Sequence, residues 1–381
     1  MPQSKLDRKL TVAHIMPWSA IGGVEIATLR LTDATRDCVR NLAFCLPDAF
    51  PLKQSFEQQG IETITYAAPE PSLRHGAKYY LDSRVIAHEL KRLGADVVHF
   101  SDEKAAYHTS LAARLAGVRT VCHMRVSYPT LSTRSRLCLL PVQSFIFVSQ
   151  EAMRTFAISL PAGKARVIYD AVEVPATDGS EDRRATRQKL GIPDHCTVVG
   201  TVARVSPQKD YFTLASAAVE VLNKHPNTRF LIVGDNSLVD LNRKHYEDVA
   251  KRLVDLGIAD KFIFLGHRTD TAQLISAMDF CVLSTHREGF PLSILESMAL
   301  RKAVVATAVG GIPEIIQPGI NGFLHQHADS KELAQQILYL IENPNQTAAM
   351  GQAGCELVRH NYSRDKYTHD ILKAYSAVMQ A

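Results

Sequence analysis

The chain has 381 residues, of which 46% are hydrophobic and 22% are charged, and its formal net charge is +4. These proportions are ordinary for a globular protein, and the length exceeds what one hydrophobic core usually supports, so two domains are expected. No run approaches the roughly 20 apolar residues of a membrane span, and no dense basic stripe indicates a nucleic-acid binder.

Residues 1–9 are polar and lack the long apolar core of a secretion signal, so we expect a cytoplasmic protein. The first 170 residues carry 21 Lys and Arg against 15 Asp and Glu. This bias suits an anionic partner, such as a phosphorylated acceptor or the inner face of a membrane, and an incidental surface bias explains it equally well. The seven cysteines lack metal-ligand spacing, which indicates buried free thiols.

Apolar strand-like runs alternate with amphipathic helical stretches in the first half of the chain, which predicts a parallel α/β sheet. The predicted strands are 10–16, 41–46, 96–100, 119–123 and 144–148. The predicted helices are 24–35, 79–93, 105–116 and 150–160. The alternation then stops, and the charged, Pro- and Gly-containing stretch 171–194 is predicted to be a linker between two domains.

A second α/β series follows the predicted linker. Its predicted strands are 197–204, 229–234, 261–266, 280–284 and 303–306. Its predicted helices are 211–224, 246–256, 292–300, 331–342, 346–360 and 363–379. Two doubly wound halves of similar size predict a ligand-binding cleft at their junction.

Two glycines, Gly22 and Gly23, follow the first predicted strand and precede a helix. They allow close backbone approach to a ligand, and the helix N-terminus supplies amide donors for an anion. A tight turn without a ligand is the competing explanation. The GxGxxG pattern of nicotinamide and flavin dehydrogenases is absent from this position.

Two cations, Arg204 and Lys209, lie at the end of the first strand of the second series. The carboxyl ends of strands in an open α/β sheet border the ligand crevice. An Arg and a Lys on a Pro-containing turn suit a diphosphate, whose negative charge they would stabilise as it leaves. Solvated surface cations are the alternative.

Two glutamates, Glu288 and Glu296, are separated by seven residues across a Gly-Pro turn that begins a helix. Pro291 suits the first turn of a helix, and amides around Gly289–Leu292 are placed to meet an anion or sugar hydroxyls. Carboxylates accept hydrogen bonds from hydroxyls, so the pair suits a polyol such as ribose or a hexose. The alternative is a dipole-stabilising glutamate followed by an ordinary surface glutamate.

These motifs and the Gly-Gly-Ile-Pro-Glu segment 310–314 resemble the retaining glycosyltransferases of the GT-B fold, specifically family 4. The resemblance covers nearly the whole chain, and the spaced glutamates are its most discriminating part. It implies an α/β protein with two Rossmann-like, doubly wound parallel-sheet domains facing a central cleft. The implied domains are an acceptor domain, 1–170, and a donor domain, 195–362, with a C-terminal helix, 363–381, packing back on the first.

The resemblance also implies the site residues. The Gly-Gly loop and the Arg/Lys pair bind the diphosphate of the donor, and the two glutamates hold the transferred sugar and the ribose. The implied donor-binding residues are Gly22, Gly23, Arg204, Lys209, Glu288, Gly289, Phe290, Pro291, Leu292 and Glu296. The implied catalytic residues are His123, Glu288, Arg204 and Lys209.

His123 takes its role from a histidine that the family usually has at the end of an N-domain strand, close to the donor sugar. His99, at the end of another predicted strand, and Arg125 are assigned to the acceptor side. The basic loop that continues through Arg134 and Arg136 suits contact with an anionic membrane, and a plain amphipathic helix explains it equally well.

The predicted reaction is transfer of a sugar, with retention, from a nucleotide-sugar donor to a glycan or lipid-linked acceptor. A UDP-sugar is favoured as the commonest donor, and no cofactor is expected. No Asp-x-Asp motif occurs, so we expect no metal and assign neutralisation of the diphosphate to Arg204, Lys209 and helix-terminal amides.

Three other functions compete with this prediction. A sugar-nucleotide epimerase shares the architecture and needs additional acid and base groups. A phosphorylase usually needs a pyridoxal phosphate lysine, for which there is no signal. A catalytically silent sugar-nucleotide-binding protein is the third. Consumption of the donor only when an acceptor is supplied distinguishes a transferase from all of them.

Overall fold

The structure is a computed structural model that describes residues 8–72, 74–176, 180–237 and 239–380, with residues 180–182 described by their backbone. The chain divides into two compact units. The first contains residues 8–170 and 364–380, and the second contains residues 171–363. Within the described parts of the chain, no helix is both long enough and apolar enough to cross a membrane.

The strands and helices follow one another in alternation. The strands are β1 (Leu10–Ile15), β2 (Val39–Cys45), β3 (Glu62–Thr65), β4 (Val97–Phe100), β5 (Arg119–Met124), β6 (Ser144–Phe147), β7 (Ala165–Val167), β8 (Thr197–Val202), β9 (Thr228–Val233), β10 (Phe262–Phe264), β11 (Phe280–Leu283), β12 (Val304–Thr307) and β13 (Gly322–His325). The helices are α1 (Gly23–Thr35), α2 (Phe50–Gln58), α3 (Gly76–Arg92), α4 (Glu103–Ala116), α5 (Thr133–Leu139), α6 (Gln150–Arg154), α7 (Ser180–Lys189), α8 (Tyr211–Lys224), α9 (Asp240–Asp255), α10 (Thr271–Ala277), α11 (Leu292–Ala299), α12 (Ser330–Glu342), α13 (Pro344–Asn361) and α14 (Arg364–Gln380).

Each unit is built on one sheet whose paired strands all run parallel. The order in the first unit is β3-β2-β1-β4-β5-β6-β7, and in the second unit it is β10-β9-β8-β11-β12-β13. In each sheet the first strand of the chain lies near the middle. The next strands are added toward one edge and the remaining strands toward the other edge, which is the Rossmann arrangement. The central strands are buried along nearly their whole length, because helices cover both faces of such sheets.

The predicted strands correspond to observed ones to within a few residues, and the differences lie at short or exposed elements. The sequence prediction omitted α2, β3, β7 and α10, offered a helix at α5 only as an alternative to a basic loop, and extended the helix that ends at Arg154 to residue 160. Strands β3 and β7 have four and three residues, respectively, and neither has a fully buried residue. Edge strands of this kind carry no continuous apolar run, so the pattern gives no signal for them.

The stretch predicted as a linker, 171–194, contains helix α7 and groups with the second unit. Arg183 Nη2 lies 2.5 Å from Asp279 Oδ1, and Arg187 Nη2 lies 2.9 Å from Asp279 Oδ2. Arg187 also donates to the carbonyl oxygen of Ala277 at 2.8 Å. The charged run that suggested a linker therefore anchors α7 to the start of β11. Residues 177–179 of this stretch lie outside the described part of the chain.

A hydrophobic cluster fills one face of the first unit's sheet, beneath α3, α4 and α5, and it includes Ile15, Phe100 and Phe145. On the opposite face α14 packs against α1 and β5. That face carries His14, His99 and His123 on β1, β4 and β5, at positions that alternate along the strands with those of the apolar cluster. The second unit has its own cluster, which includes Phe230, Phe280 and Leu333.

Candidate functional site

In the second unit, two loops at the carboxyl ends of adjacent strands bring Lys209 and Glu288 together. Lys209 follows β8, Glu288 follows β11, and the ammonium forms an ion pair with the carboxylate. Their side chains are 15% and 10% exposed. Thr285 Oγ1 also donates to Glu288 Oε1 at 3.2 Å. The pair places one positive and one negative group at the strand ends where α/β sheets bind ligands.

The two loops are joined through their backbones as well. The amide of Asp210 donates to the carbonyl oxygen of Ser284 at 3.1 Å, and the amide of His286 donates to that of Gln208 at 2.9 Å. These bonds fix the spacing of the loops independently of the ion pair. A ligand that separates Lys209 from Glu288 would therefore bind to two loops whose spacing is already fixed.

The Gly-Gly segment after β12 supports the Glu288 loop directly. Gly310 has φ of +57°, and a Cβ at this position would lie 1.9 Å from the carbonyl oxygen of Glu288. The amide of Gly311 donates to the carbonyl oxygen of Gly289 at 3.0 Å. Glycine is required at position 310 both by the left-handed backbone and by this close approach.

Helix α11 begins immediately after this loop, with Pro291 at its N-cap, and no side chain in the described part of the chain caps its first turn. Its N-terminal amides and dipole therefore suit an anion or a hydroxyl oxygen. Gly289, Phe290 and Pro291 are buried, and Glu296 lies half-buried in the second turn of the helix. Arg204 is exposed at the end of the β8 segment.

In the first unit, Gly22 is the N-cap of α1 and Gly23 its first residue. The amide of Gly22 already donates to Glu25 Oε2 at 2.9 Å, and the carboxylate is 3% exposed. Burial raises the pKa of Glu25. The sequence prediction did not include Glu25. Its carboxylate accepts a hydrogen bond from the Gly22 amide, one of the amides that were expected to bind a phosphate. A Cβ at Gly23 would contact nothing within 4 Å, so that position is open to close approach.

Three buried histidines form a row on one face of the first sheet. His14, His99 and His123 lie on the neighbouring strands β1, β4 and β5, with successive ring centroids 5.2 and 5.4 Å apart. Burial lowers the pKa of His14 to about 4 and lowers the pKa values of the other two well below their usual range. All three rings are therefore neutral at pH 7.

Arg125 fixes the tautomer of His123. Its Nη2 lies 3.3 Å from His123 Nδ1, and because a guanidinium can only donate, Nδ1 must accept. The ring proton is thus on Nε2, an atom that is buried and has no hydrogen-bond partner among the described residues. His123 Nε2 is available as a donor, whereas the ring offers no basic nitrogen.

Arg125 is itself bound by Asp170, at 2.7 Å and 2.9 Å, and Tyr367 of α14 donates to the same carboxylate at 3.4 Å. Burial opposes the charge, and the nearby Asp170 carboxylate outweighs it and raises the pKa of Arg125. Tyr375, also of α14, lies 2.8 Å from His99 Nδ1.

The structure places His99 and Arg125, which the sequence assigns to the acceptor side, in the buried interior of the first unit. The two residues are 1% and 6% exposed, and each already has a partner within the first unit. His99 and Arg125 form a buried polar layer next to His123. Asp170 and Tyr367, which complete that layer, were missed because they lie 45 and 242 residues from Arg125 in the chain and no local motif connects them.

A family model described as glycosyl transferases group 1 matches residues 182–356. The chain is 25% identical over 355 residues to the Vi polysaccharide biosynthesis protein VipC/TviE of Salmonella typhi, covering 83% of this chain and 59% of that protein. It is 30% identical over 203 residues to a D-inositol 3-phosphate glycosyltransferase of Segniliparus rotundus, covering 52% of this chain and 44% of that protein. The chain thus spans less than two thirds of the length of these relatives.

Two solved structures share the fold. Anabaena HepE, in complex with UDP and glucose, has a TM-score of 0.84 at 23% identity, covering 97% of this chain and 100% of that one. A glycosyltransferase of Rickettsia africae has a TM-score of 0.84 at 19% identity, covering 98% and 99%. The predicted fold class, α/β with two Rossmann-like parallel-sheet domains of the GT-B kind, is confirmed. Residues 182–356 are similar in sequence to the glycosyl transferases group 1.

Proposed function

We propose that this protein is a glycosyltransferase of family 4 that transfers a sugar from a nucleotide diphosphate sugar, with retention of the anomeric configuration. The observation that carries the proposal is the Lys209–Glu288 pair at adjacent strand ends, inside the segment similar to glycosyl transferases group 1. A UDP-sugar is the favoured donor because Anabaena HepE was solved with UDP, with UDP and glucose, and with UDP-glucose.

The ion pair is proposed to exchange partners when the donor binds. Lys209 and the exposed Arg204 would bind the diphosphate oxygens, and Glu288 would accept hydrogen bonds from hydroxyls of the sugar. Glu296 would bind the ribose. The amides at the uncapped N-terminus of α11 would bind the phosphate or sugar oxygens. In the first unit, Gly22 and Gly23 are proposed to approach the diphosphate.

His123 is proposed to act as a hydrogen-bond donor to the donor sugar. Arg125 places its proton on Nε2, and burial keeps the ring neutral. A neutral donor stabilises a hydroxyl or a developing negative oxygen without adding a charge to the site. The general base would then be an oxygen of the leaving diphosphate, which removes the acceptor proton on the face from which it departs.

The reaction is proposed to need no metal, with Lys209, Arg204 and the α11 amides stabilising the diphosphate as it leaves. A preorganised donor of this kind is worth roughly 10²- to 10³-fold in turnover. The proposed acceptor is a glycan or a lipid-linked sugar, in keeping with the polysaccharide biosynthesis named for the Salmonella relative.

A peripheral membrane contact is proposed for the surface formed by α3 and α5. Both helices pack against α4. They expose apolar side chains beside basic ones, and such a surface binds anionic lipid. The exposed residues are Leu81, Val85, Leu137 and Leu140, with Arg84, Arg134 and Arg136.

The test is incubation with UDP-sugars and an acceptor panel, with the anomeric protons followed by NMR. The proposal expects donor consumption only when an acceptor is present, and a product with the anomeric configuration of the donor. Consumption without any acceptor would favour an epimerase or hydrolase. An inverted product would contradict retention.

A further inference from the structure

The second unit holds a group of metal-ligating side chains that the proposed reaction does not use. Asp210 Oδ2, His286 and His327 each present one ligand atom, and these atoms all lie within 4.8 Å of one another. His286 Nδ1 lies 2.7 Å from His327 Nε2 and 3.9 Å from Asp210 Oδ2. The three residues follow β8, β11 and β13, so three separate loops converge on one point.

We propose that Asp210, His286 and His327 form a binding site for a divalent cation of the zinc class. Two imidazoles and one carboxylate match the ligand set of open zinc sites, which leaves a fourth position for water or another oxygen ligand. Magnesium prefers oxygen ligands and retains its waters, so this set discriminates against it.

The geometry needs only small side-chain adjustment to bind an ion. Metal–nitrogen distances of about 2.0–2.1 Å in a tetrahedral site separate two ligand atoms by roughly 3.3 Å. The two separations that involve His286, 2.7 Å and 3.9 Å, bracket this value, and the ligand atoms of Asp210 and His327 lie within 4.8 Å of each other. The His286 side chain is 46% exposed, so it can adjust and a solvated ion can reach it.

The buried carboxylate is held in place, as metal ligands usually are. Asp210 Oδ2 accepts from Thr213 Oγ1 at 2.6 Å, and Oδ1 accepts from the amide of Thr213 at 3.1 Å. Its side chain is 6% exposed. On the third loop, the amide of Gln326 donates to Glu332 Oε2 at 2.6 Å, which fixes the backbone next to His327. Such supporting contacts strengthen metal binding by orienting the ligands.

The competing explanation is a pair of imidazoles joined by one hydrogen bond. The 2.7 Å separation suits that bond too. The two explanations differ in their response to metal. A histidine pair without the carboxylate offers only two ligands, whereas three convergent ligands bind one ion with an affinity that depends on each of them.

The experiment is calorimetric titration of the metal-stripped, tag-free full chain with Zn²⁺ and separately with Mg²⁺. A Cys38→Ser background removes the exposed thiol. His286→Ala and His327→Ala test the site, and His267→Ala removes another exposed histidine of the same unit as the matched control. Thermal melts without metal check folding, and because both ligand histidines are exposed their variants are expected to fold.

The expected result is one Zn²⁺ bound per chain, no Mg²⁺ binding, and at least about a tenfold loss of Zn²⁺ affinity in His286→Ala and His327→Ala but not in His267→Ala. Absence of Zn²⁺ binding overturns the proposal. Equal binding by the ligand variants and the control also overturns it. No nucleotide is present, so the result is independent of the proposed glycosyltransferase activity.

Discussion

At the scale of single residues, the proposed chemistry depends on side chains that a neighbour pairs or orients. Lys209 and Glu288 neutralise one another, and Arg125 determines which nitrogen of His123 carries the proton. In both pairs the two side chains are in direct contact.

His123→Gln and His123→Asn form a matched pair that tests the donor role. The Gln amide nitrogen can replace Nε2, whereas the Asn amide is too short and falls near Nδ1. We expect Gln to retain most of the turnover and Asn to lose roughly 10²-fold, as for a missing oxyanion donor. Steady-state kinetics with a UDP-sugar measures both.

The tautomer itself is measurable in the same variants. Histidine ¹⁵N shifts of the wild-type chain should show one ring, absent from His123→Gln, protonated on Nε2 and unchanged from pH 8 to pH 6. A ring protonated on Nδ1 would refute the role assigned to Arg125.

Sequence reasoning reached the residues that belong to local motifs and missed those that depend on long-range contacts. The Glu288 segment was recognisable because its glycine, proline and glutamates lie within one turn and helix. Glu25 carried a weaker signal, three residues after Gly22 at a helix start, which is the spacing of a capping box. The Asp210, His286 and His327 group carried no signal, because its members come from three distant loops.

At the scale of elements, the loops at the strand ends take their shape from backbone contacts and from helices packed behind them. Gly310 lies against the Glu288 backbone, and α7 is tied to the start of β11 through Asp279. The strand pattern was predictable from apolar runs. The anchoring role of α7 was not, because a charged, Pro-flanked stretch has the same composition whether it is a linker or an ion-paired helix.

Gly310→Ala should weaken nucleotide binding as well as stability. Gly319→Ala is the control, because it has φ of +78° and an added Cβ there contacts nothing within 4 Å. Both variants take on the left-handed strain of about 1 kcal/mol, and only the first collides with Glu288. Urea unfolding should show greater destabilisation for Gly310→Ala than for Gly319→Ala, and UDP titration should show a binding defect in Gly310→Ala alone. Equal UDP binding by the two variants would contradict the supporting role assigned to Gly310.

Asp279→Asn should destabilise the second unit by about 2 kcal/mol, because it leaves the charges of Arg183 and Arg187 without their partner. Asp270→Asn breaks the more exposed pair with Arg268 and should cost well under about 1 kcal/mol. Urea unfolding at pH 7 compares them. Similar losses in both would mean that α7 is not anchored by its arginines.

At the scale of the whole molecule, the first Rossmann-like unit contains a buried polar layer, and the second contains a charged site at its strand ends. The C-terminal helix α14 belongs to the first unit and supplies Tyr367 and Tyr375 to that layer. A buried layer of neutral histidines makes the stability of the fold depend on pH.

The free energy of unfolding should fall as the pH falls from about 6.5 toward 4. His14 has a folded pKa of about 4 against a usual 6.5, so between these values the unfolded chain binds a proton that the folded chain does not. The loss from this ring alone approaches about 1.4 kcal/mol per pH unit within that window. His14→Gln should show a shallower slope in urea unfolding from pH 7 to pH 5. An unchanged slope would show that His14 does not cause the pH dependence of the free energy of unfolding.

The central claim is that the Lys209–Glu288 site binds a nucleotide diphosphate sugar, and its most direct test is a thermal-shift panel of UDP, GDP, ADP and their sugars without added metal. Lys209→Ala is compared with Lys224→Ala, which removes an exposed lysine from the helix that follows the same loop. The account predicts stabilisation by UDP and UDP-sugars that persists in Lys224→Ala and disappears in Lys209→Ala. No stabilisation by any nucleotide, or equal stabilisation of both variants, would contradict it.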